Sequence, residues 1–246
     1  MFAFGGSQWQ CGFLTKDAWL FNLSSLTWTA KNGANSPSSQ YGAAAVYDAA
    51  SSLVYMRDDF ELKSYNPSTN TWTLRSTQLG TGYNAAVIDP VRKRYVMTGN
   101  GSTNVRWYDI SSPTSTGLNA QTVQTSGCGT ILQSGASGMA YDPVQDRIVL
   151  WNGGNTIYLM NPNTYSCTTV THAGGPAAVA NGTYGRFRYS PAFNVFVVCN
   201  SVDANCYTLR LTSGTGTPTS STFNYAVSSG GNKSVTQGQS ISNTVT

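Results

Sequence analysis

One pattern constrains this chain more than any other: a strand of small residues that ends in an apolar or aromatic residue and a turn, written four times. It reads Tyr41-Gly-Ala-Ala-Ala-Val-Tyr47-Asp48, Tyr83-Asn-Ala-Ala-Val-Ile88-Asp89-Pro90, Gly135-Ala-Ser-Gly-Met-Ala-Tyr141-Asp142-Pro143 and Tyr184-Gly-Arg-Phe-Arg-Tyr189-Ser190-Pro191. The turn residues at 48, 89, 142 and 190 are spaced by 41 to 53 residues. A β-rich run follows each: Leu53–Met56, Arg94–Met97, Arg147–Trp151 and Val195–Val198. Turn chemistry between two such runs makes each pair a hairpin. A third strand comes next, at Leu62–Tyr65, Val105–Tyr108, Ile157–Met160 and Tyr207–Leu211, with an upstream copy at Trp19–Leu23. Fourth strands begin near Trp28 and Trp72.

Self-similarity at this period, from short strands with no sustained helical periodicity, specifies an all-β chain of four-stranded antiparallel propeller blades. Composition agrees. Only 10% of the 246 residues are charged and a single Glu, Glu61, is present, so a coiled coil or helical bundle is excluded. The 14 Tyr, 9 Phe and 6 Trp supply the apolar surface that a disordered chain lacks.

The blade pattern resembles the kelch repeat. That family places a double glycine after the second strand, an aromatic on the third and a Trp on the fourth. Here Gly5-Gly6 precede Phe21 and Trp28, Tyr65 precedes Trp72, and Gly153-Gly154 precede Met160, with Cys167 in the Trp position. The glycines permit positive φ after strand two, and the aromatic pair fills the wedge between blades. Met56-Arg57-Asp58 lacks the double glycine, Gly99-Asn100-Gly101 interrupts it, and the third and fifth units have no matching Trp. The resemblance covers residues 1–211, as about five blades of which the first lacks its first strand and the last its fourth. Complementary gaps allow a five-membered ring; a fragment of a larger propeller is the other expectation.

After Leu211 the composition changes. Residues 212–221 form a Ser/Thr/Gly linker, and residues 222–246 resemble either the truncated start of an immunoglobulin-like module of secreted bacterial proteins or a tail that completes an open blade. Five cysteines, scarce Lys and Glu, and abundant Ser, Thr and Asn suggest an extracellular or cell-surface protein whose signal peptide lies outside this chain. Cys199 with Cys206 could bridge a hairpin, and Cys128 with Cys167 could staple one repeat.

Little in the sequence carries catalytic chemistry. His172 is the only histidine, no C-x-x-C pair exists, and neither a metal site nor a cofactor site is read from the residues. Kelch-like copper oxidases use two histidines, so with His172 alone the comparison counts against a copper site unless its ligands lie in further blades. Asp58-Asp59 would point to opposite faces of an extended backbone. The net charge of +4 is scattered, with Arg92-Lys93-Arg94 read as a solvated hairpin tip, so no nucleic-acid partner is expected. No apolar run spans a bilayer.

First strands line the central channel of a propeller, which makes Tyr41, Tyr83, Tyr184, Arg186 and Arg188, with Arg57 and Asp58 just after a second strand, the candidate ligand-binding residues. Period-two alternation sets Arg186 and Arg188 on one face, where two guanidiniums could clamp a carboxylate such as a uronate. Equally, they could hold backbone carbonyls or Asp side chains. The expected function is a non-catalytic module that binds a carbohydrate or protein ligand. A polysaccharide lyase or glycosidase with an Arg/Tyr-lined funnel is the alternative, and a structural spacer the third reading.

Overall fold

A computed structural model describes residues 1–7, 14–31, 33–37, 42–58, 60–78, 85–99, 101–133, 137–180, 182–201 and 205–212. Its strands form five antiparallel sheets in chain order. The first blade contains β1 (Phe2–Ser7), β2 (Leu14–Asn22) and β3 (Thr27–Ala30). The second has β4 (Ala44–Asp48), β5 (Leu53–Arg57), β6 (Leu62–Asn66) and β7 (Thr71–Ser76). The third has β8 (Ala85–Asp89), β9 (Arg94–Thr98), β10 (Asn104–Asp109) and β11 (Gln121–Gln124). The fourth has β12 (Gly138–Asp142), β13 (Arg147–Trp151), β14 (Thr156–Met160) and β15 (Cys167–Thr171), and the fifth β16 (Phe187–Ser190), β17 (Val195–Val198) and β18 (Tyr207–Leu209). Inner strand lies beside inner strand, β4 next to β8, β8 next to β12 and β12 next to β16. The architecture is a five-bladed β-propeller.

The hairpins owe their uniformity to one turn used repeatedly. At the inner turns the carboxylates of Asp48, Asp89 and Asp142 accept backbone N–H groups two and three residues on: Ala50 and Ser51, Val91 and Arg92, Val144 and Gln145. The residue four positions on then turns left-handed, as Ser52, Lys93, Asp146 and, in the fifth blade, Asn194. Asn22, Asn66 and Asn161 begin outer turns in the same way. A tyrosine one position before the turn locks three of these turns: Tyr65 donates to Asn70, Tyr141 to Asp146 and Tyr189 to Asn194, at 2.9, 2.5 and 2.9 Å. Asn and Asp serve here because they tolerate the left-handed region and offer an oxygen.

Among the described residues, blades pack face to face through four apolar clusters. Phe2 and Phe4 of the first blade cover Val54, Met56, Tyr65 and Trp72 of the second. Ala44, Leu53, Tyr55 and Leu62 of the second cover Tyr95, Met97 and Tyr108 of the third. Two further clusters join the third blade to the fourth and the fourth to the fifth. Among the described residues none joins the fifth to the first.

Several sequence expectations are modified by this geometry. Fourth strands exist in blades that lack the Trp, as β11 and β15. Cys167 stands opposite Met160, in the Trp position, and its disulfide to Cys128, on the connection that enters the fourth blade, brackets that one repeat. The Cys199–Cys206 bridge closes the β17–β18 connection. Arg92-Lys93-Arg94 is not a solvated tip. Arg92 pairs with Asp89 and, at 2.6 Å, with Asp146 of the next blade, while Arg94 lies 3.9 Å over the Trp107 ring; only Lys93 is exposed. The linker at 213–221 and the segment 222–246 lie outside the described residues.

Candidate functional site

All five blades contribute to one central cavity of about 560 Å³. Its walls are mostly apolar. Phe2 and Phe4 come from β1, Ala44, Ala45 and Tyr47 from β4, Val54 and Met56 from β5, Ala85 and Ala86 from β8, and Met139 from β12. The small residues of the inner strands are what let the blades converge on an axis, and they leave the room. On the fifth blade Tyr184, Gly185 and Arg188 complete the lining.

Among the described residues of this lining, Arg188 is the one charged side chain. It stands exposed to the cavity, and encirclement by the blades lowers its guanidinium pKa through desolvation. Its Nε donates to the Gly185 carbonyl at 2.7 Å. No hydrogen bond of its two terminal nitrogens is found among the described residues. Gly185 makes room for the head group, since a Cβ there would stand 2.9 Å from Nη2. Tyr184, left-handed at φ 48°, opens the 3-10 turn that delivers this group to the axis. A cation in an apolar wall without a lining carboxylate can take an anionic ligand group by charge-assisted hydrogen bonds.

Arg186 does something else. It ends the 3-10 turn Tyr184–Arg186 and is not a strand residue, so the two guanidiniums do not share a face. Its nitrogens donate to the carbonyls of Thr183, Gly182 and Asn200, which ties β16's entry to the end of β17.

Arg57 and Asp58 stand outside the cavity lining, and both are buried. The Asp58 carboxylate accepts the N–H groups of Phe60 and Glu61. Arg57 donates to the Gln78 carbonyl and lies 5.9 Å from the Tyr108 ring; its Nε and Nη1 have no partner among the described residues. Tyr41 and Tyr83 lie outside the described residues. Of the candidates, then, the structure brings together Tyr184 and Arg188. The sequence reading missed the aromatic wall of Phe2 and Phe4 because it sought polar side chains. The missing first strand of the first unit was the signal that this wall faces the axis.

No protein-family model and no curated protein sequence matches the chain. Solved structures do. A structure of a protein named YjhT aligns over 85% of this chain and 78% of its own, with a TM-score of 0.60 at 11% identity. A chain in the crystal structure of a nidogen/laminin complex aligns over 80% of this chain and 68% of its own, with a TM-score of 0.51 at 14% identity. What they share with this chain is the propeller fold. Among the described residues no helix is long and apolar enough to cross a membrane, and no cluster of three or more His, Cys, Asp or Glu stands ready for a metal.

Proposed function

We propose that the protein is a non-catalytic binding module, secreted or displayed at a cell surface, whose central cavity receives the acidic group of a carbohydrate or protein ligand on Arg188. The observation that carries this reading is the Arg188 guanidinium, which lines an apolar cavity to which all five blades contribute and which is held through its Nε by Gly185. Uronate-bearing oligosaccharides fit well, because a sugar ring offers apolar C–H faces to Phe2, Phe4 and Met139 while its carboxylate meets Arg188. The two disulfides suit an oxidising compartment. The blade pattern supports a kelch-like ancestry for the scaffold.

Calorimetric titration with oligogalacturonate and with its neutral methyl ester tests the reading. Arg188→Ala should weaken oligogalacturonate by about 1.5 to 3 kcal/mol, about ten to a hundredfold in Kd, and leave the melting temperature in place. Equal affinity for acid and ester, or an unchanged Kd in the variant, overturns it. Release of unsaturated or shortened products during the titration would favour the lyase or glycosidase alternative.

A further inference from the structure

We infer that a recess on the fourth blade, apart from the central cavity, is a subsite for one uncharged sugar ring. Its described lining is Thr130, Ile131, Asn152, Gly153, Thr156 and Tyr158, around a volume of about 210 Å³. Drug-sized ligands occupy sites of roughly 300 to 1,000 Å³, so this one suits a single ring and not an oligomer.

The recess follows from the local chain. Gly138 pairs with Trp151, so the β13–β14 turn at 152–155 lies at the end of the propeller where the inner strand β12 begins. In the second blade the equivalent turn is closed by Asp58, whose carboxylate accepts the N–H groups of Phe60 and Glu61. In the fourth blade Gly153 and Gly154 take its place, at φ 100° and 73°, and neither has a side chain to occupy the turn.

Both walls are held in place. Gly153 packs so closely on Ala178 that a Cβ there would stand 2.3 Å from its backbone nitrogen. Trp151 Nε1 donates to the Gly154 carbonyl at 2.9 Å, the Gly154 N–H donates to Pro176, and the Asn155 amide oxygen accepts the Gly175 N–H. Facing this turn is the 3-10 turn Gly129–Leu132, which follows Cys128 and is tethered by its disulfide to Cys167. A recess between two tethered turns is formed before a ligand arrives, so little ordering is lost on binding.

The chemistry of the lining selects the ligand. Thr156 and Tyr158 alternate onto one face of β14, and Ile131 and Tyr158 belong to the apolar packing between the third and fourth blades. The Tyr158 ring offers an aromatic face to sugar C–H groups. The hydroxyls of Thr130, Thr156 and Tyr158 and the Asn152 amide each donate and accept hydrogen bonds, as sugar hydroxyls do. Asn152 is oriented by the hydroxyl of the buried Thr183, which donates to its Oδ1 at 3.3 Å. No described residue of the lining is charged, so a carboxylate or ammonium group would lose its water without gaining a counter-ion. Thr183 precedes Tyr184 of the central cavity, so the two sites share one end of the propeller. Binding in the recess does not involve Arg188.

Amide NMR titration of the isotope-labelled full chain tests the inference. The probes are the methyl glycosides of glucose, galactose, mannose and N-acetylglucosamine, with methyl glucuronide as the charged counterpart and a capped glycine dipeptide as the peptide control. At least one neutral glycoside should saturably shift the signals of Thr130, Gly153 and Thr156, and methyl glucuronide should bind about tenfold more weakly than the best of them. Asn152→Ala should raise the Kd about five- to tenfold. Thr156→Arg, a change at an exposed position that blocks the recess, should abolish the shifts in a folded protein. Arg188→Ala should leave the Kd unchanged. No saturable shift with any neutral glycoside, equal or tighter binding of the glucuronide, or shifts with the dipeptide alone overturns the inference. Loss of the response in Arg188→Ala, which would move the ring to the central cavity, overturns it too, as does unchanged binding in both Asn152→Ala and Thr156→Arg. Failure of oligogalacturonate to bind while these shifts persist overturns the Arg188 reading alone.

Discussion

Asp146→Asn tests the electrostatic link between the third and fourth blades with little backbone disturbance. Asp146 sits at a left-handed turn position with φ 51°, and the equivalent residues of two other turns, Asn70 and Asn194, are already asparagines. The amide oxygen can still accept from Tyr141 and from Nη1 of Arg92, while an NH2 replaces Oδ2, so the substitution removes the charge and the hydrogen bond from Nη2. Arg92 reaches across from the neighbouring blade, Nη2 to Oδ2 at 2.6 Å and Nη1 to Oδ1 at 2.9 Å, while its Nε donates to Asn163 at 2.7 Å. The guanidinium, helped by the Tyr141 hydroxyl, holds the Asp146 carboxyl at about 2, below its ordinary 3.8. At 1.36 kcal/mol per unit that depression sets an upper limit of about 2.4 kcal/mol. The Asp146 side chain is 41% exposed, so solvent screening reduces the figure to about 1 kcal/mol. Because the folded pKa lies below the unfolded one, this stability is fully present above about pH 4 and is lost as pH falls towards 2. Urea titration at pH 6 should therefore show Asp146→Asn less stable by about 1 kcal/mol, and the difference should close near pH 2. A cost that stays constant from pH 6 to pH 2 would refute the argument, as would an undiminished cost in an Arg92→Met background.

Other outcomes follow from packing and topology. Removing Cys128–Cys167, which spans 39 residues, should cost about 4 kcal/mol, against about 2.4 for Cys199–Cys206 with its span of 7; equal losses in denaturant titration would contradict the loop-entropy account. Phe21–Trp28 and Tyr65–Trp72 share one geometry, 4.9 Å between centroids at 42° and 41°. Trp72 is 3% exposed and Trp28 47%, so Trp72→Ala should cost about 3 to 4 kcal/mol and Trp28→Ala less than about 1; comparable costs would mean that Trp28 is covered. A Cβ at Gly138 would collide with the Phe187 side chain, so Gly138→Ala should destabilise by about 1 to 3 kcal/mol, visible as a lower Tm.

The blades were legible because their determinants are local. An Asp, Asn or Ser that closes a turn and a run of small residues that approaches the axis depend on neighbours in sequence, so the period at 48, 89, 142 and 190 carried straight into β4, β8, β12 and β16. The site was less legible because it depends on what a turn does to direction. Arg186 and Arg188 look paired on a strand, yet a left-handed Tyr184 winds Arg186 into a 3-10 turn and spends it on three carbonyls. Arg92 looked solvated from its turn, since nothing in the sequence places Asp146, 54 residues on, beside it.

Among the described residues, four apolar clusters of unequal size couple consecutive blades. Blades held chiefly by their neighbours open where those couplings are weakest, and the pair with the strongest couplings opens last. The boundary between the third and fourth blades holds the largest cluster, the Cys128–Cys167 bridge and the Arg92–Asp146 pair. Amide protons of β9 and β13 should therefore exchange most slowly and those of β2 and β18 fastest. Under a pulling force the outer blades should peel away one at a time, leaving the central pair as the last mechanical unit to yield.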